Sequence, residues 1–319
     1  MIIHRMRAWC ATASSWSRPL ARAALVAGAV LAATLPAGAA DAADPIVFSA
    51  KRPSSTLYRD VYIIQPDGTN RQQITSSYDY NGDPVWSPSG DRIAFVRAIY
   101  ELNSNIWLMS ASGGQQQNVT NLAYPISAQS PAWAPNGTRI AYASTQGNTP
   151  SWEIWATNTD GSNQTRLTHD SASYTSSSGT YVSVGNDSPH WSWDGARIVF
   201  VKTSRTGNVV NSDIYAMQAN GTGAANLTNS AASESGPKWS PDGTKIVFAR
   251  GGEIWVMNAN GTGQTQLTFL SATTESQPAW SPDGTRIVFT SGTQLSVMNA
   301  NGSGQQVLTN TGSPNNADW

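Results

Sequence analysis

From Pro45 to Trp319 the chain alternates short apolar runs with polar turns, and the alternation recurs in register. One apolar run closes on a tryptophan, usually as Pro-x-Trp, at Trp86, Trp133, Trp191, Trp239, Trp280 and Trp319, at intervals of 47, 58, 48, 41 and 39 residues. Nine residues after each of the first five comes a ring: Phe95, Tyr142, Phe200, Phe248 and Phe289. Between tryptophan and ring lie turns such as Ser240-Pro241-Asp242-Gly243. There proline presets the first turn residue, and Asp-Gly or Asn-Gly accepts the left-handed backbone. A polar residue then precedes an apolar pair (Asp60, Asn105, Glu153, Asp213, Glu253, Gln294), and a glycine turn follows at Gly68, Gly113, Gly161, Gly221, Gly261 and Gly302. Seven residues after each glycine stands a threonine: Thr75, Thr120, Thr168, Thr228, Thr268 and Thr309.

Each unit therefore predicts four short strands: one ending at Trp, one around Arg-Ile-Val-Phe, one around Ile-Trp-x-Met and one around Gln-x-Leu-Thr. Four antiparallel strands in a repeat of about 40–50 residues mark a propeller blade. The expected fold is all-β, a six-bladed propeller over residues 43–319. Pro45-Ile46-Val47-Phe48 reads as a second strand, so the C-terminal strand ending at Trp319 is expected to complete the N-terminal blade. Such closure leaves no unpaired sheet edge between the ends.

The pattern x-Pro-x-Trp-Ser-Pro-Asp-Gly-x-x-Ile-x-Phe, followed by Asp-Ile-Tyr/Trp-x-Met and Gly-x-x-x-x-Leu-Thr, resembles the TolB-type propeller repeat from Pro45 to Trp319. The resemblance implies membership of this six-bladed propeller family, of which TolB itself serves in a periplasmic envelope complex. The separate α/β domain that precedes the propeller in TolB is expected to be absent, since the signal runs up to Pro45. Similar repeats precede the hydrolase domain of prolyl oligopeptidase-type peptidases, and no such half is expected after Trp319.

Residues 1–42 read as a secretory signal and processing region. Arg5, Arg7, Arg18 and Arg22 precede the apolar run Ala23–Leu35, and Ala37-Gly38-Ala39 and Ala40-Asp41-Ala42 both fit the cleavage pattern. The run is shorter than the ~20 apolar residues that span a bilayer, so no membrane span is expected after cleavage. The destination is the periplasm or the medium. Cys10 lies in the signal, which leaves the mature chain without disulfides or thiol chemistry. Nineteen basic against twenty acidic residues give no electrostatic footprint for nucleic acid.

Catalytic constellations are sparse. His169 and His190 stand without a nucleophile-elbow serine, and no catalytic residue is assigned. The four carboxylates near the repeat tryptophans, Asp83, Asp187, Glu234 and Glu275, are expected at the channel mouth, where they could hold Ca²⁺ or cap turns and pair with cations; no other cofactor is expected. The polar residue before each third strand reads as structural, bonding donors between strands. Asn220-Gly221-Thr222 and Asn260-Gly261-Thr262 match a glycosylation triplet but already have a turn to make.

Departures from the repeat are where function is expected. The connections Lys51–Arg59, Arg97–Ser104, Ser144–Trp152, His169–Ser188 and Lys202–Ser212 are long and read as loops on one face, whereas Arg250–Gly252 and Thr290–Thr293 are short. With the other crossovers between units they bring Tyr58, Tyr78, Tyr80, Tyr100, Tyr124, Trp152, Tyr174 and Tyr181, about half of which are expected to fold back on their own blades. The reading is a monomeric, non-enzymatic scaffold that binds a protein or peptide on this face, with a glycan as a further partner class. The alternative is a polysaccharide lyase or hydrolase with its site at the funnel mouth.

Overall fold

The computed structural model describes residues 44–52, 58–99, 103–147, 149–269, 273–309 and 312–319. These form 25 strands, with no helix among the described residues and therefore none long and apolar enough to cross a membrane. The architecture is an all-β propeller. The strands closed by the repeat tryptophans line a central channel, and the strands that follow each pair antiparallel outward.

The repeats predict six four-stranded units, but the hydrogen bonds define five sheets. Three are four-stranded: Ala128–Trp133 to Thr165–Arg166, Glu234–Trp239 to Thr265–Gln266, and Glu275–Trp280 to Gln306–Thr309. A fifth strand, Ala172–Thr175, is added to the sheet of Tyr181–Trp191. The remaining sheet has eight strands because one parallel bridge, Arg59 opposite Tyr80, joins two groups of four. In the first group Asn315–Asp318 pairs antiparallel with Ile46–Lys51, Val47 opposite Asp318 and Ser49 opposite Asn315.

The repeated residues meet at the seams between repeats. Phe95, Tyr142, Phe200, Phe248 and Phe289 are fully buried, each adding about 1.5–3 kcal/mol of hydrophobic burial. Arg92, Arg139, Arg197 and Arg286 each lie over the tryptophan of the next repeat, Trp133, Trp191, Trp239 and Trp319, at 4.4–5.9 Å. The turn glycines have φ of 84–89° and touch the preceding repeat: a Cβ on Gly261 would stand 2.4 Å from the Leu227 carbonyl oxygen. Gly68 makes the same approach to Leu308, 3.0 Å from its oxygen.

The threonine and the polar residue before the third strand form one device. The Thr268 hydroxyl accepts the Ile254 N–H at 2.9 Å and donates to Glu253 at 2.7 Å. Thr75 and Thr120 do the same with Asp60 and Asn105. The polar residue is thus structural, as its recurrence suggests.

Two of the expected loops are sheet instead, and a third, Arg97–Ser104, is paired as far as Ile99 opposite Asn103. Tyr181–Trp191, Arg197–Thr206 and Val209–Gln218 run past the body of their blade, pairing up to Val182 opposite Thr206 and Thr206 opposite Val209. Gly207-Asn208 closes the hairpin, a two-residue turn of the favoured kind. Ala172–Thr175 adds the outer strand, so His169–Ser188 and Lys202–Ser212 build a four-stranded extension rather than loops.

Candidate functional site

Each channel-lining strand carries a bulge three residues before its tryptophan. The bulged residues, Asp83, Ser130, Ser188, Gly236, Gln277 and Asn316, all have φ between 45° and 57°, a conformation that costs a non-glycine residue about 1–2 kcal/mol. Proline follows in the first five. It lacks a ladder donor and is tolerated where pairing is already broken. The register shifts there, for example between Asp187 and His190, so side chains just before the bulge turn toward the channel.

Two cavities share the channel. The one at the bulges, about 340 Å³, is lined by Asp83, Gln129, Ser130, Asp187, Gln277 and Asn316 among others. Asp83 accepts hydrogen bonds from the Asn316 amide and from the Ser130 N–H. Asp187 accepts from Gln129 Nε2 at 2.6 Å and from the Ser188 N–H at 2.6 Å. Withdrawal from water, and then repulsion from Asp187, push the Asp83 carboxyl up to about 6. Withdrawal from water also raises Asp187.

Glu234 and Glu275 are not part of this mouth, which corrects the expectation of four converging carboxylates. They stand five residues before the tryptophan, ahead of the bulge, and face the seam with the preceding blade. Glu234 binds Arg250 at 2.6 Å and accepts from the Ile214 N–H and the Thr228 hydroxyl. Glu275 is buried beside Ser291, and burial followed by the nearby Glu253 raises its carboxyl. Among the described residues no three His, Cys, Asp or Glu side chains are grouped to hold a metal.

The other cavity, about 420 Å³, opens at the opposite end, where the Ser-Pro-Asp-Gly turns lie. Its walls are the six repeat tryptophans and the turn prolines. Its floor is set by the residue just before each tryptophan: Val85, Ala132, His190, Lys238, Ala279 and Asp318. Lys238 Nζ bridges to Asp318 Oδ1 at 3.0 Å, and Asp318 also accepts the Trp86 N–H at 3.0 Å. Lys238 lines both cavities. His190 Nδ1 accepts the Trp239 N–H at 3.2 Å, and withdrawal from water, then Lys238, hold this imidazole well below its ordinary range. Sequence reasoning treated His190 as a packed strand residue and passed over Lys238 and Asp318. Comparing the position before each repeat tryptophan finds all three, because three of its six occupants are titratable.

The aromatics expected on the loop face divide. Tyr78, Tyr124, Tyr174 and Tyr181 are exposed by 75%, 68%, 56% and 44%. Tyr80 and Trp152 fold back against the core. Tyr58 meets Tyr78 edge-on at 5.9 Å, with Arg52 over the Tyr78 ring. Tyr100 lies outside the described residues. The sequence missed Val209 and Val210, 71% and 49% exposed at the tip of the extension. His169 is exposed and lines neither cavity.

The profile of the TolB beta propeller domain family matches residues 43–183 and 180–319. A curated relative, "Protein TolB homolog" of Chlorobium luteolum, is 35% identical over 57 residues, 18% of this chain and 13% of the relative. The chain thus spans a small part of that protein. The crystal structure of TolB from Acinetobacter baumannii superposes with a TM-score of 0.69 at 22% identity, covering 86% of this chain and 66% of that one. A chain of the Nidogen/Laminin complex superposes with a TM-score of 0.64 at 12% identity, covering 86% of this chain and 97% of that one. At such identities the structural likenesses carry the fold alone.

Proposed function

Since the chain belongs to the TolB beta propeller domain family, we propose that it is an exported, monomeric binding scaffold whose loop face takes a protein or peptide partner. The observation that carries this reading is the exposure of Tyr78 and Tyr124 on crossovers between repeats and of Tyr174 and Tyr181 on the extension. Large rings held in water on a rigid sheet framework offer flat apolar contact with a hydroxyl at the edge. Loops positioned by such a framework are where binding residues concentrate. No side chain in this role needs to transfer a proton or form a covalent bond.

The proposal includes six blades in a closed ring. Support comes from the single bridge that joins the two halves of the eight-stranded sheet. Further support comes from the pairing of Asn315–Asp318 with Ile46–Lys51, and from the Gly68–Leu308 contact, which repeats the contact at the other seams. Export rests on the signal-like residues 1–42, and N-terminal sequencing of the secreted or periplasmic protein tests it.

The binding test compares wild type with a Tyr78→Ala, Tyr174→Ala, Tyr181→Ala triple variant as baits in envelope extract, with captured proteins quantified by mass spectrometry. A partner enriched by wild type and lost by the variant is the expected result. Equal capture by both overturns the loop-face reading.

A further inference from the structure

We propose that the tryptophan-walled cavity at the turn end of the channel is a second binding site. Its ligand is a small amphipathic molecule with an apolar ring body and one uncharged or zwitterionic head that both donates and accepts hydrogen bonds. The site lies at the opposite end of the channel from the loop face, so it does not rest on the partner proposed there.

A break in the repeat points to it. Four of the five tight turns place proline after the Ser or Ala: Pro88, Pro135, Pro241 and Pro282. The third of the five, in the repeat of Trp191, places Trp193, and its indole is 67% exposed at the rim of the cavity. The turn itself is unchanged. Ser192 Oγ still donates to Asp194 and accepts the Arg197 N–H, and Gly195 keeps a φ of 68°. Proline at this position stabilises a turn by restricting the unfolded chain, so the exchange for an exposed indole brings folding no advantage. The same repeat supplies His190 to the floor, where three of the other five strands have alanine or valine.

The walls select the body of the ligand. They are indoles and pyrrolidine rings, and the nearby hydroxyls are already used: Ser87 donates to Asp91, Ser192 to Asp194 and Ser240 to Asp242. A sugar chain would bring many hydroxyls to a wall with few free partners, and burying them unpaired is costly. An apolar ring loses nothing there. A cavity of about 420 Å³ also falls in the range of small-molecule sites.

The floor selects the head. Lys238 Nζ and Asp318 Oδ1, 3.0 Å apart and partly open to the cavity, present a donor and an acceptor side by side. Their charges cancel, and His190 adds an uncharged ring. A carboxamide or an amino-acid zwitterion can bond both members of the pair, whereas a lone anion or cation would meet one repelling partner.

The test is calorimetric titration of the folded protein with three probes: 2-naphthamide, naphthalene and maltotriose. Saturable one-site binding of 2-naphthamide is expected, tighter than naphthalene, with none by maltotriose. Trp193→Pro restores the repeat's own turn, so it should unfold at the same or a higher temperature while binding 2-naphthamide at least tenfold more weakly. Lys238→Met should weaken 2-naphthamide and leave naphthalene unchanged. Failure of wild type to bind 2-naphthamide, equal affinity in Trp193→Pro, or preference for maltotriose would each overturn the proposal.

Discussion

The fourth and fifth repeats share a framework and differ in almost everything else. Trp191 and Trp239, Phe200 and Phe248, Ile214 and Ile254 are buried alike, and Gly221 and Gly261 press on the preceding repeat in the same way. In the fifth repeat the second and third strands are joined by Gly251-Gly252, whereas in the fourth they run on for four more pairs to Gly207-Asn208. The fourth also places Asp187 and His190 in the channel and Trp193 at its rim. What holds a blade to its neighbours is thus confined to a few positions. Variation is free at the channel lining, the turns and the strand ends beyond the seam.

The sharpest way to break this comparison is to crowd a shared seam. Gly261→Ala puts a methyl 2.4 Å from the Leu227 oxygen at a φ of 86°. A backbone shift across two repeats must follow, and a loss of about 3 kcal/mol or more is expected in denaturant unfolding. Gly90→Ala, at a φ of 71° with nothing within 4 Å, carries only the left-handed strain of about 1–2 kcal/mol. Equal costs for the two would mean that the seam contact is not what the glycine is for.

Next in size is the threonine device. Thr268→Val leaves the buried Ile254 N–H without its acceptor and Glu253 without its donor, at a cost of about 2 kcal/mol. In the fourth repeat the Thr228 hydroxyl gives its proton to Glu234 of the next blade instead of Asp213. Thr228→Val should therefore weaken a link between blades at similar cost, and a double variant with Glu234→Gln should lose less than the sum of the two. Strict additivity would argue against coupling across that seam.

Much of this framework is legible in the sequence because it repeats. A residue that recurs at fixed offset in every unit, as Thr268 and Gly261 do, carries the same physical demand each time. The glutamates show where such reading stops. Glu234 lies only two residues before Gly236, yet it faces the seam and Gly236 the channel. The bulge at Gly236 changes the side-chain alternation, and a pattern of types does not reveal where a strand bulges. The extension is hidden in the sequence for another reason: serine and threonine dominate residues 171–188, and polar strands paired beyond the core lack the apolar alternation that marks a half-buried one. The floor of the tryptophan cavity could have been found by comparing one position across all repeats.

The channel mouth gives a smaller and pH-dependent effect. The Asp83 carboxyl is held at about 6 against an ordinary 3.8, so the folded protein binds a proton more tightly than the unfolded chain does. Stability should fall as pH rises from about 4 to 6, and the full penalty, about 1–2 kcal/mol for this partly open group, applies above that. Asp83→Asn removes the titration. The unfolding midpoint of the variant should lose this slope between pH 4 and 6 and exceed wild type at pH 7. An unchanged slope would move the titrating group elsewhere.

The smallest effect on stability is expected from making the fourth repeat resemble the fifth. Lys202 stands opposite Asp213 as Arg250 stands opposite Glu253. Replacing Thr203–Ser212 with Gly-Gly therefore reconnects the two strands at a register already in use next door. The tip removed includes Val209 and Val210, which are exposed by 71% and 49% and bury little when the protein folds. The change in unfolding free energy should stay within about 1 kcal/mol. Retention of the partner enriched in the bait experiment would separate the hairpin of residues 203–212 from the tyrosines as a binding element. Its loss at unchanged stability would make that hairpin part of the recognition surface. A loss of several kcal/mol would instead show that the long strands support the blade, and that the seam is not the only place where these repeats are held.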